Sequence, residues 1–567
     1  MLFSVSMLRW WKRGAVLFFL LAYILPLGFR PLLTPDEYRY AEIPRAMIDS
    51  GNWVSPRLLG IRYFEKPALG YQMTAVSLEI FGNTNFAIRF PAALSVGIAA
   101  LAIYWLIRKV RGDEELAILA SYVYLGMGLV YGVGIFAVLD SQTTCFLWLG
   151  MVLYYLGLRG KTPGSKVSCL LASGAAFGLA FLTKGFLAFV VPVVTAVPFL
   201  LFRKEWKNFF LSPWLPILAA AIVALPWSLM IHFQEPDFWH YFFFIEHLQR
   251  FLKETDGQHP EPFWFFIPIV AGGIFPAAIF GWGMVRGWHG KWKQLWRDDF
   301  TFYLSLAFLM PFLFFSSSTG KLGTYVLPCF PPLAILMAMG LQAYYRQGFR
   351  KGVDLTLTIF GWLLVGGAIG FAIVQIIADC GAFEGLYAPE ERLKYSALLG
   401  VACAWGILLI RTAHRTSGTR FGAFYFGMAA VLIVAMASFP KRVFEGKAQT
   451  EALESFRDVI GPDTLLVTYP NVMHAAGWVY HRDDMYLLFG AGELEHSVET
   501  YPEYADRVLS VPEYYELVRK YPERVVVIMR KDHDRLRPPG MKVVEERVCQ
   551  EIRMLRFAPP DSNHEEK

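Results

Sequence analysis

The sequence predicts an all-α polytopic membrane protein with about 13 transmembrane helices and a soluble α/β domain after them. Three observations lead to this prediction. Hydrophobic residues make up 55% of the 567 residues and charged residues only 18%, whereas a soluble globular chain is about 25% charged. Aromatic residues reach 16%, which suits a lipid-facing surface with interfacial belts. Apolar runs recur up to residue 439 and then stop. A disordered chain, a fibre, a coiled coil and an ordinary cytosolic enzyme are therefore excluded.

The apolar runs are long enough to cross a bilayer, which takes about 20 mostly apolar residues per helix. Thirteen such runs are present, near 14–33, 86–107, 116–138, 141–158, 167–183, 186–202, 213–233, 262–285, 300–316, 324–345, 355–377, 396–411 and 421–439. The first run follows three basic residues, as a signal peptide would. Because no small-residue cleavage site follows it and further spans do, we interpret it as an uncleaved helix.

Lysine and arginine indicate the orientation of these spans. They occur in the N-terminal segment and in the short loops after the even-numbered spans, at 108–111, 159–166, 203–207, 286–297, 346–351 and 411–420. Cytoplasmic loops carry this excess. The pattern predicts a cytoplasmic N-terminus, with the odd-numbered loops and everything after residue 440 facing outward.

The sequence divides into a transmembrane domain, 1–439, and a tail, 440–567. The tail contains strand-like runs at Leu465–Tyr469, Met485–Phe489, Val525–Met529 and Lys542–Glu545, with a helical stretch at Glu513–Tyr521. Strands mixed with helices are typical of a small α/β domain. We expect it on the outer face.

The first outer loop, 34–70, is rich in charged and tyrosine residues. Arg39, Glu42 and Arg45 have helical spacing, which predicts an amphipathic helix on the membrane surface with its charges solvated. Asp36 fits two interpretations: it caps this helix, or it orients a substrate or acts as a base. Tyr63, Glu65 and Lys66 follow in the same loop.

Three further outward-facing positions each have an ordinary explanation beside a functional one. Asp140 fits a cap of the fourth span, Lys184 a lysine that snorkels from a helix end, and Lys321 a charged helix start just before Tyr325. The fourth outer loop carries Glu246, His247 and Arg250. A Glu and a His from two loops, Glu65 and His247, can bind a divalent ion such as zinc.

The convergence of these groups on one membrane face carries the functional prediction. Lysine and arginine pair with phosphate oxygens, so Lys66, Lys184, Arg250 and Lys321 can clamp phosphate. The substrate would be an anionic lipid-linked molecule that enters sideways from the bilayer. A channel would need polar rings along a pore, which the spans lack. Nucleic acid is not expected as a partner, because the basic residues form no single stripe.

Several segments resemble one known family. They are PDEYRYAEIPRAM at 35–47, GNWVSPRLLGIRYFEKPALGYQM at 51–73, LDSQTT at 139–144, LTKG at 182–185, IEHLQRF at 245–251 and STGKLGTYVLPCFPPLA at 318–334. In this order they resemble the lipid A aminoarabinose transferases of the GT-C superfamily of polytopic glycosyltransferases. The resemblance implies transfer of 4-amino-4-deoxy-L-arabinose from undecaprenyl phosphate to a lipid A phosphate, at the periplasmic face of the bacterial inner membrane. It also implies resistance to polymyxin and other cationic peptides.

The resemblance carries over residue by residue. It implies catalytic roles for Asp36 and Asp140, and metal ligation by Glu65 and His247. It implies substrate binding by Arg39, Tyr63, Lys66, Lys184, Arg250 and Tyr325. Lys321 joins these substrate-binding residues as part of the phosphate clamp, not through the resemblance. The sequence departs from the family's pattern at Tyr38 and Ala68, which bears on the identity of the sugar. We expect a monomer surrounded by membrane lipids.

Two alternatives stay open. A related enzyme would use a polyprenyl phosphate to transfer another sugar, or to glycosylate a protein Ser or Thr, in which case Asp36 would be a true base. A non-catalytic protein would bind or flip lipids, with the outer loops as a docking surface. A flippase needs polar access from both sides, and the predicted cytoplasmic loops are short.

Overall fold

The computed structural model describes residues 7–249, 261–533 and 537–558, without the side chains of 247–249. These residues are mostly helical and form two compact units. The first comprises residues 1–29, 65–70 and 89–440. The second comprises residues 30–64, 71–88 and 441–567, so most of the first outer loop groups with the tail.

Within the described ranges, nine helices of the chain are long and apolar enough to cross a membrane. They are Leu8–Gly28, Asn85–Arg111, Pro163–Lys184, Trp206–Gln234, Asp299–Ser317, Gly323–Arg346, Lys351–Asp379, Pro389–Arg411 and Ser417–Ala437. Each coincides with one of the thirteen predicted spans. The membrane-protein class is confirmed, whereas the count of 13 is not.

The other four predicted spans are also helical, but they are broken, shorter or more polar. The run 116–138 forms Glu114–Leu125 and Gly128–Gly134, and the run 262–285 forms Phe263–Gly273, Ala277–Phe280 and Gly281–Trp288. Leu187–Phe202 has only 16 residues. Asp140–Leu158 has 19 residues, of which the first five are polar. The short helices Phe238–His240, Tyr241–Gln249 and Gln294–Arg297 complete this unit.

Close helix packing positions the residues of interest in the first unit. Pro163–Lys184 packs against both Asp140–Leu158 and Trp214–Gln234. The approach is close because glycines lie at the contacts: a Cβ at Gly150 would meet the Phe177 ring, and one at Gly174 would meet the backbone of Pro216. Small residues permit such contacts between membrane helices. The helices Asp140–Leu158 and Pro163–Lys184 are joined by a short loop and pack against each other. The start of the first helix and the end of the second therefore lie at the same level.

The second unit contains the helix Asp36–Ser50, the two-stranded hairpin β1 (Arg57–Leu58) and β2 (Ile61–Arg62), and most of the helix Leu69–Phe81. Its tail part holds a six-stranded sheet made of β3 (Leu465–Thr468), β4 (Tyr486–Leu488), β5 (Val508–Leu509), β6 (Val525–Arg530), β7 (Lys542–Cys549) and β8 (Ile552–Ala558). Helices of the tail are Lys441–Phe444, Thr450–Glu454, Arg457–Val459, Met473–Tyr480, Gly492–Leu494, Glu495–Thr500, Pro502–Arg507 and Val511–Lys520.

The strand order of this sheet is β5-β4-β3-β6-β8-β7. The first four strands run parallel, and β8 pairs antiparallel with both β6 and β7. The first five residues of β6 are apolar and buried, as expected for a parallel strand covered on both faces. The predicted α/β tail is therefore confirmed. The short β5 and the C-terminal β8 were not predicted.

The helix Asp36–Ser50 exists as predicted, but the prediction that its charges are solvated was wrong. Glu42 and Arg45 are buried, and the guanidinium of Arg45 donates to both carboxylate oxygens of Glu42. The reason is packing against the tail helix Met473–Tyr480, whose Gly477 lies against the Glu42 side chain. A buried carboxylate requires such a partner.

Candidate active site

Asp140 and Lys184 form an ion pair at one end of the first unit. Asp140 is the first residue of Asp140–Leu158, and Lys184 is the last residue of Pro163–Lys184. The Lys184 Nζ lies 2.6 Å from the Asp140 Oδ1, and their side chains are only 15% and 13% exposed. Asp140 does not occupy the N-cap position, which belongs to Leu139, and its carboxylate pairs with Lys184 instead. The interpretation of Lys184 as a snorkelling lysine was wrong, because its ammonium is buried against a carboxylate.

Tyr325 completes this contact. It lies in a short 3-10 helix, Gly323–Cys329, that precedes Phe330–Arg346. The ammonium of Lys184 is 5.0 Å from the centre of the Tyr325 ring, within range of a cation–π interaction. The structure thus brings together three predicted site residues that are far apart in sequence. We call Asp140, Lys184 and Tyr325 the Lys184 triad.

Lys66 is held by neighbouring residues of the first unit. Its ammonium pairs with the carboxylate of Glu246 and donates to the backbone carbonyl of Glu65 at 3.0 Å. The Glu65 carboxylate is farther away, at 3.8 Å. The Lys66 loop passes beside the start of Asp140–Leu158, because Gly70 lies against Leu139. A lysine held by a carboxylate is charged and oriented, which suits a phosphate ligand.

The metal site stays a prediction. The side chain of His247 lies outside the described residues, so its contact with Glu65 has no description. Among the described side chains, no group of three His, Cys, Asp or Glu residues is placed to hold a metal ion. Arg250 also lies outside the described residues.

Lys321 lies just before the 3-10 helix of Tyr325 and is almost fully buried. Its ammonium donates to the backbone carbonyl of Glu261 at 2.6 Å. Burial lowers the pKa of Lys321, since removal from water penalises the charged form. The interpretation as an ordinary solvated helix start was wrong, because the side chain reaches across to the segment that leads into Phe263–Gly273.

A second cluster of charges lies in the second unit, around Asp36 and Arg39. Asp36 is the first residue of the helix Asp36–Ser50, whose N-cap position is occupied by Pro35. Its Oδ1 lies 3.3 Å from the Arg39 Nη1, and its side chain is 44% exposed. The Arg39 Nε donates to the Glu493 Oε1 at 2.6 Å, and the His474 Nε2 lies 2.9 Å from the same oxygen. Arg39 is therefore held between two carboxylates.

The electrostatics of this cluster are dominated by Glu493. Burial raises the pKa of the Glu493 carboxyl, but the charges of Arg39 and His474 and their hydrogen bonds outweigh burial and lower it. Glu493 is thus ionised and fixes the guanidinium that faces Asp36. An exposed carboxylate held by a fixed arginine can orient a ligand or accept a proton.

Tyr63 is buried in the second unit, with its ring edge-on to Tyr71 at 6.3 Å. Its ring packs in the interior of this unit.

Sequence reasoning missed two groups of site residues. Glu246 was seen only as a neighbour of His247, although it is the partner of Lys66, 180 positions away. Glu493 and His474 were not considered at all, because they lie more than 430 positions from Arg39 in a tail interpreted only as a domain. Only a three-dimensional structure or an alignment that shows coupled positions could have found them.

Comparison with known proteins now adds the family. The model of the dolichyl-phosphate-mannose-protein mannosyltransferases matches residues 13–242. A relative from Proteus mirabilis, named undecaprenyl phosphate-alpha-4-amino-4-deoxy-L-arabinose arabinosyl transferase 2, is 36% identical over 93% of this chain and 94% of its own length. A relative from Yersinia enterocolitica with the corresponding transferase name is 36% identical over 88% of this chain and 89% of its own.

Solved structures agree on the fold. The crystal structure of ArnT from Cupriavidus metallidurans bound to undecaprenyl phosphate matches with a TM-score of 0.77 and 21% identity, over 98% of both chains. The apo structure of the same protein matches with a TM-score of 0.79. The similarity thus extends through the membrane helices and the tail.

Proposed function

The chain belongs to the family of undecaprenyl phosphate-alpha-4-amino-4-deoxy-L-arabinose arabinosyl transferases, and we propose that it transfers this aminosugar onto a phosphate of lipid A. It is a multi-pass membrane glycosyltransferase that uses a polyprenyl-phosphate sugar donor. The observation that carries the proposal is the full-length match, which includes the tail. The proposed site is the periplasmic face of the inner membrane, as the basic loops predict.

The proposed reaction exchanges one phosphate for another at the anomeric carbon. The bond between that carbon and the undecaprenyl phosphate oxygen breaks, and a bond to an oxygen of the lipid A phosphate forms. Undecaprenyl phosphate leaves with its electron pair. Because the attacking phosphate is already an anion, no base is needed to remove a proton. The protein must therefore place the two lipids and stabilise charge.

The Lys184 triad and Lys66 supply groups suited to this task. Lys66 and Lys184 are cations whose side chains are 15% exposed, and they can hold the leaving phosphate. Asp140 lies beside Lys184, and its carboxylate suits the positive charge that develops on the sugar ring in an oxocarbenium-like transition state. We assign Asp36 to orientation of the acceptor phosphate or of the donor amine. We propose inversion at the anomeric carbon.

Mass spectrometry of lipid A tests the proposal. Cells that express the chain should contain lipid A carrying aminoarabinose, whereas cells without it, or with the Asp140→Asn variant, should not. A matched control is Asp299→Asn, which alters the ion pair with Arg159 at the opposite end of the helix Asp140–Leu158. Unmodified lipid A in cells that supply the donor and accumulate the chain would contradict the proposal.

A second candidate is transfer to a protein hydroxyl, which the mannosyltransferase model on residues 13–242 favours. A hydroxyl must lose a proton, so this reaction needs a base, and Asp36 would serve. Purified protein with radiolabelled donor separates the two candidates. Label in the lipid fraction supports the lipid A acceptor, whereas label in a protein fraction supports the second candidate.

A further inference from the structure

The tail sheet changes its winding direction at β3. From β3 the chain moves to β4 and β5 on one side, and then crosses to β6 on the other side of β3. In open sheets of parallel strands, ligands bind in the crevice outside the carboxyl ends of the strands where this reversal occurs. The carboxyl ends of the three strands that flank it are Thr468, Leu488 and Arg530.

Three aromatic side chains follow these carboxyl ends. Tyr469 comes directly after β3, Phe489 directly after β4, and His533 shortly after β6. The Tyr469 ring centre is 5.4 Å from that of Phe489 and 5.0 Å from that of His533, which it meets nearly parallel at 24°. Phe489 is 55% exposed, and His533 is exposed as well. The edge therefore offers aromatic surface to a ligand.

A buried polar atom without a partner lies at the same edge. The Tyr469 hydroxyl has no hydrogen-bond partner within the described part of the chain, and Tyr469 is only 4% exposed. Buried polar groups are nearly always paired, so this hydroxyl indicates a polar ligand.

The backbone holds Phe489 in an unusual conformation. Its φ is +70°, a left-handed value that is uncommon for a bulky residue. Gly490 and Gly492 follow at φ +105° and +58°, which glycine adopts readily. Strained residues of this kind cluster at ligand-binding positions.

The charges at this edge are balanced, which argues against a phosphate ligand. Lys531 pairs with Glu551 at 2.6 Å, while Arg530 and His533 both face Asp532 at 3.8 and 3.7 Å. Aromatic faces with neutral polar groups suit a sugar ring, which has an apolar face and a rim of hydroxyls.

We propose that the carboxyl edge of the tail sheet is a carbohydrate subsite that binds a glucosamine ring of the lipid A acceptor. Phe489 and His533 stack on the apolar face of the sugar, and the Tyr469 hydroxyl bonds to a ring hydroxyl. This inference rests on the proposed function, because it takes the acceptor from there. It gives the tail a role in binding the acceptor.

Two measurements on the full-length protein in detergent test the subsite. The first is saturation-transfer NMR with the deacylated, phosphorylated glucosamine disaccharide of lipid A as the probe. The second is the KM for lipid A and, separately, for the donor. The variants are Phe489→Ala, His533→Ala and the conservative Tyr469→Phe. Val548→Ala is the matched control, since Val548 is equally exposed on β7 at the far edge of the sheet.

We expect the disaccharide signal to fall in all three variants, and the KM for lipid A to rise about 3- to 10-fold per variant. The donor KM should be unchanged, and Val548→Ala should resemble wild type. An unchanged signal and KM in all three variants would overturn the subsite. So would an equal rise in both KM values, which a merely structural role produces. Failure of the proposed function is distinguishable, because the NMR measurement needs no sugar transfer.

Discussion

The ion pair between Asp140 and Lys184 can be tested by a double-mutant cycle of Asp140→Asn, Lys184→Met and both together. The side chains are about 85% buried and 2.6 Å apart. Removal of one partner from a buried pair costs about 3–5 kcal/mol, because the remaining charge has no counterion. Because the two side chains keep some exposure to solvent, we expect the loss of one partner to cost about 3 kcal/mol, at the lower end of this range. Lys184→Met also loses the Tyr325 contact, worth about 0.5–1 kcal/mol.

The double variant should recover most of this stability, because neither charge remains. We expect a coupling energy of about 2 kcal/mol or more, within the range for residues in contact. Denaturant titration of the full-length protein in detergent measures the free energy of unfolding. Sugar transfer should not recover. If Asp140 stabilises charge in the transition state, its loss costs about 100- to 1000-fold in rate in both the single and the double variant.

Two results would refute this reasoning. A coupling energy below about 0.5 kcal/mol would mean that the pair contributes no more than an exposed ion pair. A double variant with near wild-type transfer would show that the pair is only structural. Asp299→Asn is the control, since it weakens the ion pair of Arg159 and should lower stability while transfer by the folded protein persists.

Three further predictions concern single side chains, and a fourth concerns the membrane topology. Lys66→Ala should weaken undecaprenyl phosphate binding in nanodiscs about 30-fold or more, whereas Glu246→Gln should strengthen it, because that carboxylate competes for Lys66. Asp36→Asn should abolish transfer with little change in the free energy of unfolding, because the side chain is 44% exposed; an active variant would exclude a catalytic role. Since the pKa of Glu493 is lowered from 4.5 to about 2, its stabilisation is present above pH 4.5 and is lost as the pH falls towards 2; unfolding curves of Glu493→Gln should lack this dependence. A reporter fused after residue 440 should be active only in the periplasm, and cytoplasmic activity would contradict the predicted orientation.

The sequence was sufficient for the membrane class because hydrophobic burial in lipid requires long apolar helices, which composition reveals directly. It was not sufficient for the number of spans. The run 116–138 is apolar throughout, yet the helix breaks near Gly126, where the structure changes from Glu114–Leu125 to Gly128–Gly134. Such breaks depend on packing against neighbouring helices, which an apolar window does not report.

The candidate site was likewise only partly predictable from the sequence. Residue types and family motifs pointed to Asp140, Lys184 and Tyr325, and the structure brings them together. Their pairing was not predictable, because an ion pair 44 positions apart follows from the antiparallel helices rather than from spacing. For Lys66 and Arg39 the carboxylate partners Glu246 and Glu493 lie still farther along the chain, so the sequence alone suggested cations without counterions.

These counterions change how donor binding should be understood. The carboxylates of Glu246 and Asp140 hold the ammonium groups of Lys66 and Lys184 in place before the lipid binds. A phosphate that reaches them replaces one anion with another, so the lysines undergo little further desolvation. In the proposed reaction, the phosphate that draws Lys184 away leaves the Asp140 carboxylate without its cation. Positive charge then develops on the sugar ring, and Asp140 can stabilise it. The ion pair between Asp140 and Lys184 would thus keep both side chains in place before the donor binds. Once the donor is bound, Lys184 holds the phosphate and Asp140 stabilises the charge on the sugar.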